Sequence, residues 1–543
     1  MQRRKIKAAS ADERFFFFFL RHCWYAFGVC SKSCDEYFSI CTILKNKMTG
    51  AVTELIAVGA LDTYLTQQAS FTWWKSRYNK HTQFAMESVK QMFNTAVSFG
   101  TESQLTLNRQ GDLVYFLYVL IELPGIVACD GSKESGCAGL SGGNQFPTYM
   151  DQSCAPCNRN DENAYADYMD NDGASSMDSG DRAAKMKSAK DKWLKERYGH
   201  GTTLECCDDV EDCPDNLCPE LGNVWCHWTN DVGQFLIKEA KIVIGGSVVD
   251  KIQNDFLFMW EELSGKSGRR LTEMVGKRYT RTQLVCDSRQ KRLLYVPLPF
   301  WFSQHSGQAL ALAALQFHGV QLHMEWERLE RCVVVSSKDV IVKNVETSTT
   351  LTANDLVAYL ETTYVYLENA ERERFATNHF EVLITQHQSF SMQATNNQPR
   401  IQLNFNHPVI ELLFAVRRQC QERCNNWFNY SGIDNRDPIT HVELFLNNQS
   451  RFSKKPGVYF RTVQPYQHHS NIPDAFIYVF SFALHPEDVS PSGTCNMSRI
   501  DHVDLNLTLQ DGLNKEQVSV LIFARSFNVI RYREGLAGLA FAN

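Results

Sequence analysis

The sequence predicts an all-β protein built from sandwiches, and three observations carry that prediction. From Ala51 onward, apolar and polar residues alternate with period two in segment after segment, as strands with one buried and one solvated face require. Aromatic residues reach 12 %, led by 34 Phe, and bulky rings fill the space between packed sheets. Outside an inserted segment, helical patterning is confined to two short stretches, "NDFLFMWEELSG" near 254–265 and "NAERERFATN" near 369–378.

The elements follow in chain order. "LVYFLYVLIELP" (Leu113–Pro124) is a nearly continuous apolar run ended by Pro-Gly, which predicts a strand buried on both faces. "EAKIVIGGSVVDKI" alternates through Ala240, Ile242 and Ile244, turns at Gly245-Gly246 and resumes, which predicts a hairpin. "VQLHMEWE" sets Val320, Leu322, Met324 and Trp326 against polar neighbours. Later strands are predicted at Ile401–Phe405, Val442–Leu446, Ile477–Leu484 and Val503–Leu509. The charged segment "ENAERERFATNH" separates two β-rich halves, roughly 51–368 and 379–543, each with strands enough for an eight-stranded sandwich. No literal repeat relates them.

With 543 residues the chain exceeds one ordinary core, so two large domains are expected. A net charge of −6 argues against general nucleic-acid binding, which needs a basic face to displace counterions. No apolar run is long enough to span a membrane. "FFFFFLRHCWYAFGVC" (Phe15–Cys30), preceded by Arg3, Arg4, Lys5 and Lys7, has the flavour of a signal peptide but is broken by Arg21 and His22. The preferred reading makes residues 1–47 an N-terminal extension outside the fold, disordered or from a misassigned start, with Met48 the true beginning. Of the 18 Cys, four lie in the first 41 residues and nine between Cys129 and Cys226, with five in the rest of the chain, a distribution that fits a reducing compartment better than a disulfide framework.

Residues 129–222 break the β pattern. They are rich in acids and small residues and predict a long inserted loop with one helix near 181–198. Cys154, Cys157, Cys213 and Cys218 within it could offer thiolates to zinc, but the gap between the pairs is far longer than finger spacing, so unligated thiols are the default. "GKS" at Gly265–Ser267 lacks the earlier glycine of a phosphate loop, Trp260 standing there, and "GLSGG" at Gly139–Gly143 lacks the strand–turn–helix of a nucleophile elbow. His468-His469, read on a strand, would point to opposite faces and could not chelate one ion. N-x-[ST] sequons stand at Asn429, Asn448, Asn496 and Asn506, with Asn429 and Asn448 taken as possible glycosylation sites. No catalytic residue, cofactor site or metal centre is assigned.

"PSGTCNMSRID" (Pro491–Asp501) resembles a hallmark segment of the major capsid proteins of nucleocytoplasmic large DNA viruses. Other segments agree in the same order: "TELIAVGALDTYLT" with "FTWWKSRYNKHTQFAMES", "RQGDLVYFLYVLIELPGI", "WTNDVGQFLIKEAKIVIGGSVVDK", "YVPLPFWFSQHSGQALALAALQFHGVQLHMEW", "RIQLNFNHPVIELLF", "YFRTVQPYQHHSNIPDAFIYVFSFALHPED" and "FNVIRYREGLAGLAFAN". The resemblance runs from about Met48 to Asn543 and omits the insertion.

It implies a double jelly roll, two tandem eight-stranded antiparallel β-sandwiches with short helices and a long inserted loop. The first roll would span 48–372, including the insertion 129–222 as an outward tower, and the second 373–543. It implies a non-enzymatic virion protein whose homotrimers form pseudo-hexagonal tiles of an icosahedral shell, assembled in a cytoplasmic virus factory. Partners would be further copies, minor capsid and penton proteins, and an internal viral membrane approached without an anchor; direct nucleic-acid binding is not expected. Pro491, Gly493, Asn496, Ser498, Arg499 and Asp501 would be turn and inter-strand groups fixing how the loop enters the next strand. His468, His469 and Arg461 would be structural polar groups near a domain or subunit seam. The rival expectations are a jelly-roll glycan-binding surface protein and an endogenised capsid remnant that no longer assembles.

Overall fold

A computed structural model of the chain describes residues 57–68, 73, 80–130, 225–265, 271–336, 340–513 and 517–541. The extension 1–47, nearly all of the insertion 129–222 and its four candidate zinc cysteines therefore lie outside the described residues. Met1–His81 and Thr82–Asn543 are separate compact units. Among its described residues the first holds one short helix, α1 (Ala60–Thr66), whose first turn is closed by the Asp62 carboxylate accepting from the Gly59 N–H at 2.9 Å.

Among the described residues the second unit carries 24 strands, sixteen of which form the main paths of its four large sheets. Eight precede residue 368: β1 (Phe84–Met92), β2 (Glu102–Thr106), β3 (Leu113–Leu123), β4 (Ile237–Ile244), β5 (Ser247–Gln253), β6 (Arg292–Pro297), β7 (Val320–Trp326) and β8 (Val357–Leu367). Eight follow it: β9 (Phe380–Ala394), β10 (Arg400–Gln402), β11 (Pro408–Arg418), β12 (Ile439–Leu446), β13 (Gln449–Ser450), β14 (Tyr478–Ser481), β15 (Val503–Leu509) and β16 (Val518–Arg533). The longer helices are α2 (Asn254–Ser264) and α3 (Asn369–Thr377), with α4 (Gln464–His468) ending a π-helical turn over Tyr459–Val463.

Hydrogen bonding arranges the first eight strands as β1-β8-β3-β6 and β2-β7-β4-β5, and the second eight as β9-β16-β11-β14 and β10-β15-β12-β13. Adding eight to each label of the first pair of sheets gives the second pair. The two sets are therefore the same antiparallel jelly roll built twice, an equivalence that no residue repeat reveals. The hairpin between the fourth and fifth strands repeats as well. Gly245 and Gly246 have φ of +57° and +84°, and Asn447 and Asn448 have +47° and +63°. Both pairs supply the double positive φ of a type I′ turn, from the residues that tolerate it best.

Alternation sets what each strand buries. Along β7 and β15, every second residue enters a core: Leu322, Met324 and Trp326 in the first roll, Leu505, Leu507 and Leu509 in the second. β11 and β16 carry apolar residues at successive positions, interrupted at Glu411, Ser519 and Arg525, because both of their faces are covered. Leu412, Phe414, Val520 and Ile522 fill the second roll, whereas Leu413, Ala415, Leu521 and Phe523 join the core of the first. Each such side chain contributes roughly 1.5–3 kcal/mol by leaving water.

Two departures from the sequence reading appear. Short helices are more numerous than the two predicted, among them Val232–Leu236, Arg281–Ser288 and Gln419–Arg423, because one or two turns carry too little periodicity to register. Cys226, Cys332 and Cys495 are free thiols, but Cys286 is disulfide-bonded, a cross-link in a chain read as lacking a disulfide framework.

Candidate assembly seam

The two rolls meet where α2, which leaves the end of β5, lies against the outer face of the sheet β9-β16-β11-β14. The helix forms there because "NDFLFMWEEL" spaces its large apolar residues for burial while Asp255 sits in its first turn, where the backbone N–H groups favour an anion. Phe256 packs on His387 at 4.4 Å between ring centroids, and Phe258 stacks on Phe428 at 4.5 Å. Beside them Phe235 stacks on Trp427 at 4.9 Å.

Charged groups inside this seam are all paired. Asp255 accepts from the Tyr430 hydroxyl at 2.7 Å and from the Arg417 guanidinium, which also donates to the Trp427 carbonyl at 2.6 Å. Burial, followed by the Asp255 charge, pushes the Tyr430 hydroxyl well above its ordinary pKa. On the next strand, Asp250 takes the His387 backbone N–H at 2.9 Å, and its second oxygen lies 2.9 Å from His387 Nδ1. Asn425, with φ +53°, spends both amide hydrogens on the Glu330 and Val333 carbonyls at 2.8 Å, and its own carbonyl accepts from Thr229 at 2.7 Å. A buried polar group costs little only when its partners are fixed in this way.

A second cluster stands at the seam's edge. Glu411, on β11 and fully buried, accepts from Arg525 of β16 at 2.6 Å, and its other oxygen lies 2.9 Å from His469 Nε2. His469 Nδ1 is 3.1 Å from Glu487, and the Arg525 guanidinium sits 3.9 Å above the ring of Trp260 on α2. Burial would raise the Glu411 pKa, but the charges of His469 and Arg525 outweigh it and hold the carboxyl at about 2. Burial likewise opposes charge on His469, yet Glu411 and Glu487 push its ring up to about 9. This corrects the strand assignment of the histidine pair. His468 closes α4 and His469 caps it, so a helix end, not a pleat, sets their directions. His468 Nδ1 lies 3.0 Å from the Leu484 carbonyl, while Arg461 forks onto Asp437 at 2.8 and 3.2 Å.

The Pro491–Asp501 segment crosses the start of β11. Cys495-Asn496 pairs with Val409 and Pro408. Asn496 Oδ1 accepts from the Ser498 N–H at 3.1 Å, Ser498 Oγ accepts from the His407 N–H at 2.7 Å, and the Met497 N–H donates to the His407 carbonyl at 3.1 Å. Gly493 has φ +145°, and a Cβ there would lie 2.8 Å from the Phe482 carbonyl oxygen. Pro491, Arg499 and Asp501 are exposed, and the last two make no side-chain hydrogen bond or ion pair among the described residues. Met497 was absent from the expected set, yet it is the buried anchor, inserted into the core of the second roll. Its signal was available: Met497 and Ile500 are the large apolar side chains of an otherwise polar loop.

Comparison with known proteins bears on what this duplicated scaffold is. A family model described as "Major capsid protein N-terminus" matches residues 72–190 and 203–368, more than half of the chain. A second, "Large eukaryotic DNA virus major capsid protein", matches residues 371–538. The chain belongs to this major capsid protein family.

Similar relatives include the major capsid protein of Phaeocystis pouchetii virus, 28 % identical over 91 % of this chain and all of that one. The major capsid protein of Paramecium bursaria Chlorella virus 1 is 26 % identical with the same coverage. Among solved structures, a chain of the PBCV-1 virus capsid covers 87 % of this chain and all of its own length, with a TM-score of 0.59 at 24 % identity. The Faustovirus major capsid protein covers 92 % of this chain and 99 % of its own, with a TM-score of 0.58 at 11 % identity. These likenesses give the capsid protein its double jelly-roll fold.

Other expected residues of the capsid protein fall in contrasting places. Asn448 is exposed at the β12–β13 turn, whereas Asn429 is half-buried at the seam and accepts from the Ser431 N–H at 3.0 Å. Asn506 lies within β15. Among the described residues, no group of three His, Cys, Asp or Glu side chains could hold a metal ion.

Proposed function

We propose that this chain is a non-enzymatic shell subunit whose three copies close around a threefold axis into a pseudo-hexagonal capsomer of an icosahedral capsid. The observation that carries the reading is the duplicated strand order. Two rolls of the same topology, locked side by side, make one third of a ring with six similar corners. Such a closed interface is expected to be obligate and to bury roughly 2,000–5,000 Å². The proposed rolls span 48–372 and 373–543. Minor capsid and penton proteins would fill the seams and vertices between capsomers. An internal membrane would lie beneath, and assembly would take place in the host cytoplasm. In the same reading, Asn496 and Ser498 set the angle at which this loop enters β15, and the exposed Arg499 and Asp501 are contact groups between subunits.

Light scattering on the full-length protein, eluted from a size-exclusion column, tests the proposal. The expected mass is three times the 62.1 kDa of one chain. A stable single chain at micromolar concentration would sink it.

A further inference from the structure

Three carboxylates crowd one ammonium where β4 begins. Asp231 stands just before the helical turn Val232–Leu236, which leads into β4, at a φ of +56° that Asp tolerates better than most residues. Its side chain is fully enclosed. Glu261 and Glu262, near the end of α2, act on it from one side, and Lys277, just past the helix Thr272–Val275, from another. Lys277 makes its short contact with Glu262, at 2.5 Å, and stays 3.9 Å from Asp231 Oδ2. Glu261 accepts from the Gln234 amide at 2.5 Å and from the Leu271 N–H at 3.0 Å. Asp231 receives nothing comparable. Its Oδ1 has no hydrogen-bond partner among the described residues, and neither has the buried Gln234 Oε1.

Were all three carboxylates ionised, Lys277 would leave the cluster with an excess of negative charge, at a place where burial makes each charge costly. The other cations around the turn are engaged. Arg278 pairs with Glu273 at 2.8 Å and with Asp287, Arg292 with Asp287 at 2.5 Å, and Arg331 with Glu327 at 3.0 Å. On β4, Lys238 pairs with Glu325, and Lys241 with Glu239 at 2.6 Å. A proton is the remaining counter-charge, and on Asp231 it also supplies a donor where only acceptors stand. Burial pushes the Asp231 carboxyl up to about 7 against the pull of Lys277, and the Glu261 and Glu262 charges add to the rise. The surroundings leave little room to spread. A Cβ on Gly233 would lie 3.0 Å from the Val275 carbonyl oxygen. Asn230 fastens the same segment, its Oδ1 accepting from the Arg278 N–H at 2.7 Å and its amide donating to the Arg278 carbonyl at 2.9 Å. Phe235 of the turn stacks on Trp427, so this clasp borders the second roll.

We propose that Asp231 is the proton-operated catch of this clasp. Protonated, it lets Val232–Leu236 close on residues 271–278; ionised, it drives them apart and loosens the seam with the second roll. The sign follows from proton linkage. An exposed aspartate ionises near 3.8, so a fold that keeps this proton up to about 7 loses stability between those values, and the contribution is gone above 7. The subunit is therefore firmer in mild acid than in neutral medium. Between pH 5 and 6 the contributions of Glu411 and His469 are both complete, so the effect stands apart from theirs.

Hydrogen exchange on the full-length protein, corrected for the intrinsic pH dependence of amide chemistry, reads the catch. Amides of Val232–Leu236 and 271–278 should open about tenfold more at pH 6 than at pH 5, because each opening releases one proton. Those of β9 should keep the same protection at both values. Asp231→Asn preserves the shape and the positive φ but cannot ionise, so its opening should be equal at the two pH values. Should that variant melt early, Glu261→Gln takes its place: with one charge fewer beside Asp231, the pH at which the segment loosens should rise less steeply into the acid range and its midpoint should fall. His469→Gln should leave the tenfold change intact. Equal opening at pH 5 and 6 in the unaltered protein overturns the proposal, as does a tenfold change that survives Asp231→Asn, an unmoved midpoint in Glu261→Gln, or a change of equal size in β9.

Discussion

His469 and Glu411 make stability depend on pH in opposite directions. The His469 pKa rises from an ordinary 6.5 to about 9, so its contribution is complete below 6.5 and is lost as pH climbs through 9. Glu411 falls from 4.5 to about 2, so its contribution is complete above 4.5 and is lost as pH drops through 2. The pair therefore supports the fold most between about pH 4.5 and 6.5. Thermal melts should show Tm declining from pH 7 to 9, and His469→Gln should flatten that decline; an unchanged slope would remove the role assigned to the histidine. Arg417 offers a pH-independent test. Arg417→Ala leaves Asp255 buried without its cation and should cost about 3–5 kcal/mol in urea unfolding. A loss below about 1 kcal/mol would mean that water reaches the seam and screens Asp255.

Among the elements, the Pro491–Asp501 loop behaves as a latch on the first residues of β11. Its hydrogen bonds run to His407, whose φ of +66° turns the chain into the strand, and its anchor is the buried Met497. Met497→Ala should cost about 2–5 kcal/mol through the cavity left behind. Amide exchange should then rise first at Val409 and Ile410, next to the latch, and only later in the centre of β11. Uniform acceleration along the strand would argue that Met497 is ordinary core. Sequence patterning placed this loop before a strand correctly, because Val503–Leu509 alternates over seven residues. It could not show which strand the loop crosses, since β11 lies some 80 residues earlier in the chain.

Across Thr82–Asn543, the decisive feature is that one core belongs to both rolls. Leu413, Ala415, Leu521 and Phe523 of the second roll sit in the same cluster as Phe256, Phe258 and Met259 of the first. Neither roll can leave without exposing that surface, so calorimetry should record one cooperative transition for these residues. Phe256→Ala combined with Phe428→Ala thins the seam and should split the transition in two. Two transitions in the unaltered protein would show that the rolls are thermodynamically independent.

Alternating strands such as β7 and β15, the Gly245-Gly246 turn and the all-β class were written in the local sequence, because side-chain period and positive φ are properties of neighbouring residues. The tertiary structure alone decided that β11 and β16 are covered on both faces, that His469 sits on a helix end between two carboxylates, and that the halves are one topology used twice. Those facts depend on pairings between residues far apart in the chain. Strand order leaves no trace in period or composition, because an antiparallel strand reads the same whichever strand lies beside it.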